Sequence, residues 1–250
     1  MSPATPHSAA PTPDLMAPGW RRAAAERAPV IMAIYVLAIF LLWVLPPTSL
    51  AVDETEQMIA TQVWSWGYGP QLPLYTWLQI LVFEVTGPGK LGLAVLKYSL
   101  LLAIYLGMWV LARRLGLGPW GAAIAMAGML ALPTLIWSAQ RDLTHTALMA
   151  TLCVWAMVAA IHAIQSGRML SYLGFGVVLA AGMLSKWNFA FLAAGMFAAA
   201  LLLRQGRLTG FAASLIVMLT LLSAPAIWAI NNPNIVLSST HRFAIDAGPG

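Results

Sequence analysis

The stretch "SYLGFGVVLAAGMLSKWNFAFLAAGMFAAALLL", Ser171 to Leu203, is apolar along almost its whole length. It is too long for one ordinary membrane helix, which needs about 20 apolar residues to cross the bilayer. "SKWN", Ser185 to Asn188, interrupts the stretch near its middle with a lysine and two polar side chains. We therefore predict two short membrane helices joined by a hairpin at this interruption.

The composition of the whole chain is that of an integral membrane protein. Of its 250 residues, 60% are hydrophobic and 8% are charged, whereas soluble domains are roughly 25% charged. The formal charge of +5 does not indicate nucleic acid as a partner, because the basic residues are scattered between apolar runs without a recognition motif. A single cysteine, Cys153, excludes an intramolecular disulfide and a cysteine metal cluster.

Further apolar runs flank the hairpin on both sides, at Val30 to Leu45, Leu91 to Ala112, Trp120 to Ser138, Leu143 to Ile164 and Gly210 to Ile230. All of them suit helices better than strands. We predict an all-α, polytopic transmembrane helical bundle of about seven spans. Residues 1–27 are predicted to be a disordered cytoplasmic tail and 28–230 the transmembrane domain, with an outer loop at 46–90. Residues 231–250 are predicted to be an outer loop or a truncated end.

The distribution of basic residues tests this topology, because Lys and Arg concentrate on the cytoplasmic side of membrane proteins. With a cytoplasmic N-terminus, the inner set is Arg21, Arg22, Arg27, Arg113, Arg114, Arg168, Arg204 and Arg207. The outer set holds Lys90, Arg141, Lys186 and Arg242 with Asp53, Glu54, Glu56, Glu84, Asp142 and Asp246. A single helix over Ser171 to Leu203 would place Arg204 and Arg207 outside, so the hairpin is favoured. We expect a multi-pass protein of the cell membrane, the inner membrane in a bacterium.

The predicted outer loop is longer than a turn requires, and it is apolar and aromatic. Ile59, Val63 and Trp66 recur at helical spacing, and a second set of apolar residues does so after Pro73. These patterns predict two helices lying in the membrane surface, with aromatic side chains at the depth of the lipid headgroups.

"DETE", Asp53 to Glu56, opens this loop with three carboxylates. One interpretation is a helix start with Asp53 as the N-cap and Glu56 at N3, where both complement the helix dipole. The other interpretation is chemical. Asp53 and Glu54 point in different directions from a helix, so one can cap while the other faces a cavity.

Three segments in order, "DETEQMIATQVWSWGYGPQLPLYTWL", "RDLTHTALMATLCVWA" and "GMLSKWNFAFLAAG", resemble the membrane glycosyltransferases with a GT-C fold. More narrowly, the chain resembles the family that includes protein O-mannosyltransferases and lipid A aminoarabinose transferases. The matching features are Asp53-Glu54, the segment Tyr68 to Leu78, and Asp142 at the start of the fourth span. The resemblance covers roughly Val30 to Ala200 and is to an N-terminal half of such proteins.

The chain also departs from that family pattern. Pro70-Gln71 stands where aminoarabinose transferases have an acidic-basic pair, and Leu72-Pro73 replaces a double proline. The first departure puts metal ligation at that position in doubt.

The resemblance implies transfer of a sugar from a polyprenyl-phosphate donor to a lipid, glycan or protein hydroxyl, on the outer face and with inversion. It implies a base that takes the hydroxyl proton, and a carboxylate beside a low-dielectric wall suits that task. Asp53 is assigned to this role. Glu54 is expected to orient the acceptor or Asp53, or to bind a divalent cation.

Cations on the outer face would stabilise the leaving lipid phosphate. The candidates are Arg141, Lys186 and Arg242, of which Lys186 is best situated at the hairpin tip. Asp142, Tyr68 and His241 complete the set of predicted substrate-binding residues. Simpler interpretations remain open: a lysine that extends to the interface, a surface ion pair of Arg141 with Asp142, and an ordinary exposed loop around His241.

Two other functions compete with the transferase. A transporter, or a flippase for lipid-linked sugars, should carry ionisable residues near mid-membrane and show paired repeats. Here the charges lie towards one face, Lys97 alone lies inside a predicted span, and no repeat is evident. This favours an enzyme, while a non-catalytic fragment of a transferase is the third possibility.

A reporter fusion tests the predicted topology. Alkaline phosphatase fused after Arg204 is expected to be inactive, because that position is predicted to be cytoplasmic. The matched fusion after Asn188, at the hairpin tip, is expected to be active. Active phosphatase after Arg204 would overturn the topology.

Overall fold

The computed structural model describes residues 19–47, 49–138 and 144–236. Of the predicted site residues, Arg141, Asp142, His241 and Arg242 lie outside this part of the chain. The described residues form helices and contain no strand. The helices are α1 (Gly19–Glu26), α2 (Ala28–Val44), α3 (Val52–Ala60), α4 (Leu74–Thr86), α5 (Lys90–Arg114), α6 (Pro119–Gly128), α7 (Thr144–Ser166), α8 (Met169–Ser185), α9 (Phe189–Leu203), α10 (Leu208–Asn231) and α11 (Pro233–Val236).

The apolar helices confirm the predicted all-α membrane bundle. Helices α5, α7 and α10 are each long and apolar enough to cross a membrane. Helices α2, α4, α8 and α9 are apolar but shorter, as is the segment Pro119–Ala131. The figure of about seven spans stays a prediction.

The interruption at 185–188 does end one helix and start another, as predicted. Lys186 follows α8 with an extended backbone, φ −164° and ψ 141°, and α9 begins at Phe189. Phe189 is buried against Gly182 of α8, so closely that a Cβ on Gly182 would lie 2.1 Å from its ring. A glycine at this position therefore lets the hairpin close.

Part of the predicted disordered tail is helical. Gly19–Glu26 forms α1, which packs against α6, so the prediction of disorder is wrong for these residues. The segment consists mainly of good helix formers, and Arg22 Nε donates to Glu26 Oε1 at 3.3 Å, one turn along. Ala25 of α1 is buried.

Helix α5 is the centre of the first half of the bundle and contacts α2, α4, α6 and α7. The packing then continues in sequence, since α7 lies against α8 and α8 against α10. Side chains from α3, α4 and the 185–188 hairpin reach the start of α5 and α7. We call this end of the molecule the α3 end.

The close approach of α8 and α10 provides a test of the packing. A Cβ at Gly176 would lie 2.5 Å from the backbone oxygen of Ser214, whereas nothing lies within 4 Å of one at Gly174. Because backbone cannot move aside cheaply, Gly176→Ala should destabilise the protein by about 1–3 kcal/mol. Gly174→Ala is the matched control and should be neutral or slightly stabilising. Thermal unfolding in detergent measures both, and equal midpoints would contradict the packing.

Candidate active site

The acidic stretch begins α3, but in a different frame from the one predicted. The N-cap is Ala51, and Glu54 is at N3, so the prediction of Asp53 as N-cap and Glu56 at N3 is wrong. Alanine has no side-chain acceptor, but Glu54 Oε2 accepts a hydrogen bond of 2.9 Å from the backbone N–H of Ala51. The helix can therefore start at Val52, before the acidic residues, and Glu56 is left exposed.

The second oxygen of Glu54 pairs with Lys97 of α5. Both side chains are 1% exposed, and Lys97 Nζ donates to Glu54 Oε1. Nζ also lies 5.1 Å from the centre of the Trp43 ring, within range of a cation–π contact. A buried charge is costly without a partner, so each member of this pair requires the other.

Asp53 precedes Glu54 and leaves the helix at a different angle, because successive residues are about 100° apart around an α-helix. It is half-buried, in contrast to the fully buried Glu54. The interpretation in which one acid caps while the other faces a cavity is confirmed for the cap, which Glu54 forms. That Asp53 faces a cavity stays a prediction. The role of Asp53 as a base stays a prediction.

Gln57 lies one turn after Glu54 on the same face of α3 and is also buried. Its Nε2 lies 3.2 Å from His145 Nε2 at the start of α7. Its Oε1 accepts a hydrogen bond of 3.1 Å from Thr76 Oγ1 of α4. One amide side chain therefore connects α3 with two other helices.

Tyr75 lies between the acidic residues and His145. Its ring and that of His145 have centroids 5.2 Å apart. Burial raises the pKa of the Tyr75 phenol, and the nearby carboxylates of Glu54 and Asp53 raise it further. Tyr75 therefore remains a neutral hydroxyl group at physiological pH.

Lys186 brings the hairpin tip to the same end of the bundle. Its Nζ donates a hydrogen bond of 2.8 Å to Thr146 Oγ1, in the first turn of α7, next to His145. The structure thus brings Asp53, Glu54 and Lys186 to the α3 end. Arg141, Asp142, His241 and Arg242 lie outside the described residues, and their roles stay predictions.

Tyr68 organises the segment between α3 and α4. Its hydroxyl donates to the Val63 carbonyl at 2.8 Å and accepts from the Ser65 N–H at 3.0 Å. Burial raises the pKa of Tyr68, against a smaller lowering by the Ser65 hydrogen bond. Its backbone pairs with that of Gln71. These contacts shape the segment, and a substrate role for Tyr68 stays a prediction.

An apolar cleft of about 130 Å³ opens at the α3 end, between the segment before α4 and the ends of α8 and α10. Its walls include Trp66, Pro73, Trp187, Leu222, Pro225 and Trp228. Trp187, the residue after Lys186, lies in this wall. Such a cleft suits a hydrocarbon chain with an anionic head.

Within the described residues, Glu54 has no oxygen left for a divalent cation. In residues 19–47, 49–138 and 144–236, no group of three or more His, Cys, Asp or Glu side chains comes together as a ligand set. Both oxygens of Glu54 are already engaged, by Lys97 and by the Ala51 N–H. We therefore assign no metal-dependent step to Glu54.

The site also contains residues to which the sequence analysis gave no role. Lys97, Gln57, Thr76 and Tyr75 were not among the predicted site residues, although Lys97 was recognised inside a predicted span. A lysine within a membrane helix needs a partner, and the nearest acidic stretch on the same predicted side was "DETE". That reasoning could have found the pair. Gln57 and Thr76 carry no comparable signal.

Comparisons with known proteins agree with one another. The family described as dolichyl-phosphate-mannose-protein mannosyltransferase matches residues 69–229. Two proteins of Rhizobium johnstonii are similar to the chain, the lipopolysaccharide core galacturonosyltransferases RgtB and RgtA. RgtB is 37% identical over 61% of this chain and 31% of its own length. RgtA is 34% identical over 66% of this chain and 33% of its own length. The chain thus spans about a third of the length of these relatives, and no solved structure matches it significantly.

Replacing Gln57 tests the buried polar network. Gln57→Leu would leave His145 and Thr76 without their shared partner, at a cost of about 1–3 kcal/mol in unfolding free energy. Gln62→Leu is the matched control, because Gln62 follows the same helix but is exposed. Thermal unfolding of the purified variants in detergent gives the comparison. Equal effects of the two substitutions would show that the network does not stabilise this end.

Proposed function

The chain belongs to the dolichyl-phosphate-mannose-protein mannosyltransferase family, and from this premise we propose that it transfers a sugar from a polyprenyl-phosphate donor to an acceptor hydroxyl. One observation carries the proposal. A half-buried carboxylate, Asp53, and a lysine, Lys186, lie at the end of the bundle where a tryptophan-lined apolar cleft opens. Family membership favours a transferase over the transporter or flippase alternative.

In the proposed reaction, Asp53 is the general base. It takes the proton of the acceptor hydroxyl while that oxygen bonds to the anomeric carbon of the sugar. The bond from the same carbon to the phosphate oxygen breaks, and the polyprenyl phosphate leaves with the electron pair. A single displacement of this kind inverts the anomeric configuration.

Lys186 is proposed to stabilise the leaving phosphate, whose negative charge grows as the bond breaks. The lysine adjoins Trp187 in the wall of the cleft. The prenyl chain would then lie along apolar walls while its phosphate meets the ammonium group. Arg141 and Arg242 are further candidates for this role from outside the described residues.

The sugar and the acceptor are proposed from the relatives. The two similar Rhizobium johnstonii proteins are named as lipopolysaccharide core galacturonosyltransferases. We therefore propose a hexuronic acid as the sugar and a lipopolysaccharide core hydroxyl as the acceptor. Such an acceptor requires the α3 end to face the periplasm, with the N-terminus in the cytoplasm, as the charge distribution predicts.

Asp53→Asn tests the proposed base. Membranes containing the chain are supplied with polyprenyl-phosphate hexuronate or hexose carrying a label, and with lipopolysaccharide core. Transfer should fall about 10²–10⁴-fold in Asp53→Asn, the usual range for loss of a general base. Glu56→Gln, an exposed carboxylate of the same helix, should retain wild-type transfer.

Two results would contradict the proposal. Wild-type transfer by a folded Asp53→Asn variant would exclude Asp53 as the base. If the wild-type chain transfers none of the donated sugars while a full-length relative does so in the same assay, the activity does not belong to this chain.

A further inference from the structure

We propose that Lys97 is a positioning residue of this site, whose buried ion pair with Glu54 sets the rotation of α3 and so the direction in which Asp53 points. The inference rests on the proposed function for its catalytic meaning. Its structural part, the anchoring of α3, stands on the contacts of Glu54 and Lys97 alone.

Lys97 and Glu54 form an ion pair inside the bundle. Lys97 lies two turns inside α5, and both it and Glu54 are 1% exposed. In an apolar bundle neither charge can turn to water, so each is stabilised by the other and by neighbouring polar or aromatic groups. The Trp43 ring beside Nζ supplies one such group.

Helix α3 is held to the bundle by a few buried side chains. The helix has nine residues, too few to be stable alone in water. Its buried residues are Glu54 and Gln57, which are three apart and therefore share one face. Glu54 uses both oxygens, one on Lys97 and one on the Ala51 N–H. It thus ties the first turn of α3 to the third turn of α5.

The proposed base, Asp53, is part of the same helix. Asp53 is the next residue towards the N-terminus, and it is half-buried on the flank of the anchored face. If α3 rotates about its axis, the Asp53 carboxylate moves with it. Displacement of a catalytic group by about 1 Å can cost roughly 100-fold in rate. Glu54 and Lys97 therefore act through Asp53 and do not contact the substrate.

A charge-conserving variant tests whether the ion pair positions the site. Lys97→Met leaves the buried Glu54 carboxylate without its lysine, and it should lower sugar transfer by about 100-fold. Lys97→Arg keeps a cation opposite Glu54, and it should recover transfer at least about tenfold over Lys97→Met. Equal transfer by Lys97→Met and Lys97→Arg would overturn the proposal, since the charge at this position would then not matter.

The kinetic constants of Lys97→Met supply a second readout that general destabilisation would not produce. Because Lys97 is proposed to act through Asp53 and not to contact the substrate, kcat should fall while KM for the donor stays within about twofold of wild type. Lys97→Arg should recover kcat. A rise in KM with kcat unchanged would overturn the proposal.

Hydrogen–deuterium exchange of the full chain tests the anchor without any donor. Amides of Val52–Ala60 should exchange faster in Lys97→Met and return towards wild type in Lys97→Arg. Arg113→Met is the matched control, because Arg113 is an exposed cation in the last turn of the same helix. It should leave α3 unchanged. Equal exchange in wild type and Lys97→Met would overturn the proposal, even if the chain transfers no sugar and the proposed function fails.

Discussion

The arrangement of the α3 end depends on one constraint, that charges inside an apolar bundle must be paired. Lys97 lies in the central helix and is fully buried, so the chain must bring it a carboxylate. Glu54 does so from the first loop. The pair holds α3 against the bundle, and Asp53 takes its orientation from that contact.

Polar and apolar side chains occupy different parts of the α3 end. Gln57 contacts His145 and bonds Thr76 across three helices, which makes the interior between α3, α4 and α7 polar. The adjacent cleft is apolar, and Trp187, the residue after Lys186, lines it. A substrate that combines a hydrocarbon chain with a phosphate matches this division better than a free sugar nucleotide would.

The departures from the family pattern have a structural counterpart. The segment with Pro70-Gln71 forms a tight backbone pair between Tyr68 and Gln71 and lines the apolar cleft. This segment carries no acidic side chain. At the acidic motif, the side chain that pairs with Glu54 is Lys97 of α5. A protein cation held by the fold is therefore available beside Asp53-Glu54 in this chain.

Local sequence alone determined the apolar helices, the hairpin at 185–188 and a helix start near the acidic stretch, because these follow from hydropathy, length and charge. Only the tertiary structure decided which carboxylate is buried, where α3 begins and what Lys97 pairs with. The Glu54–Lys97 contact joins residues 43 apart, and Gln57 and His145 are 88 apart. The rotation of one helix against another depends on the packing of all their side chains, and no local pattern encodes it.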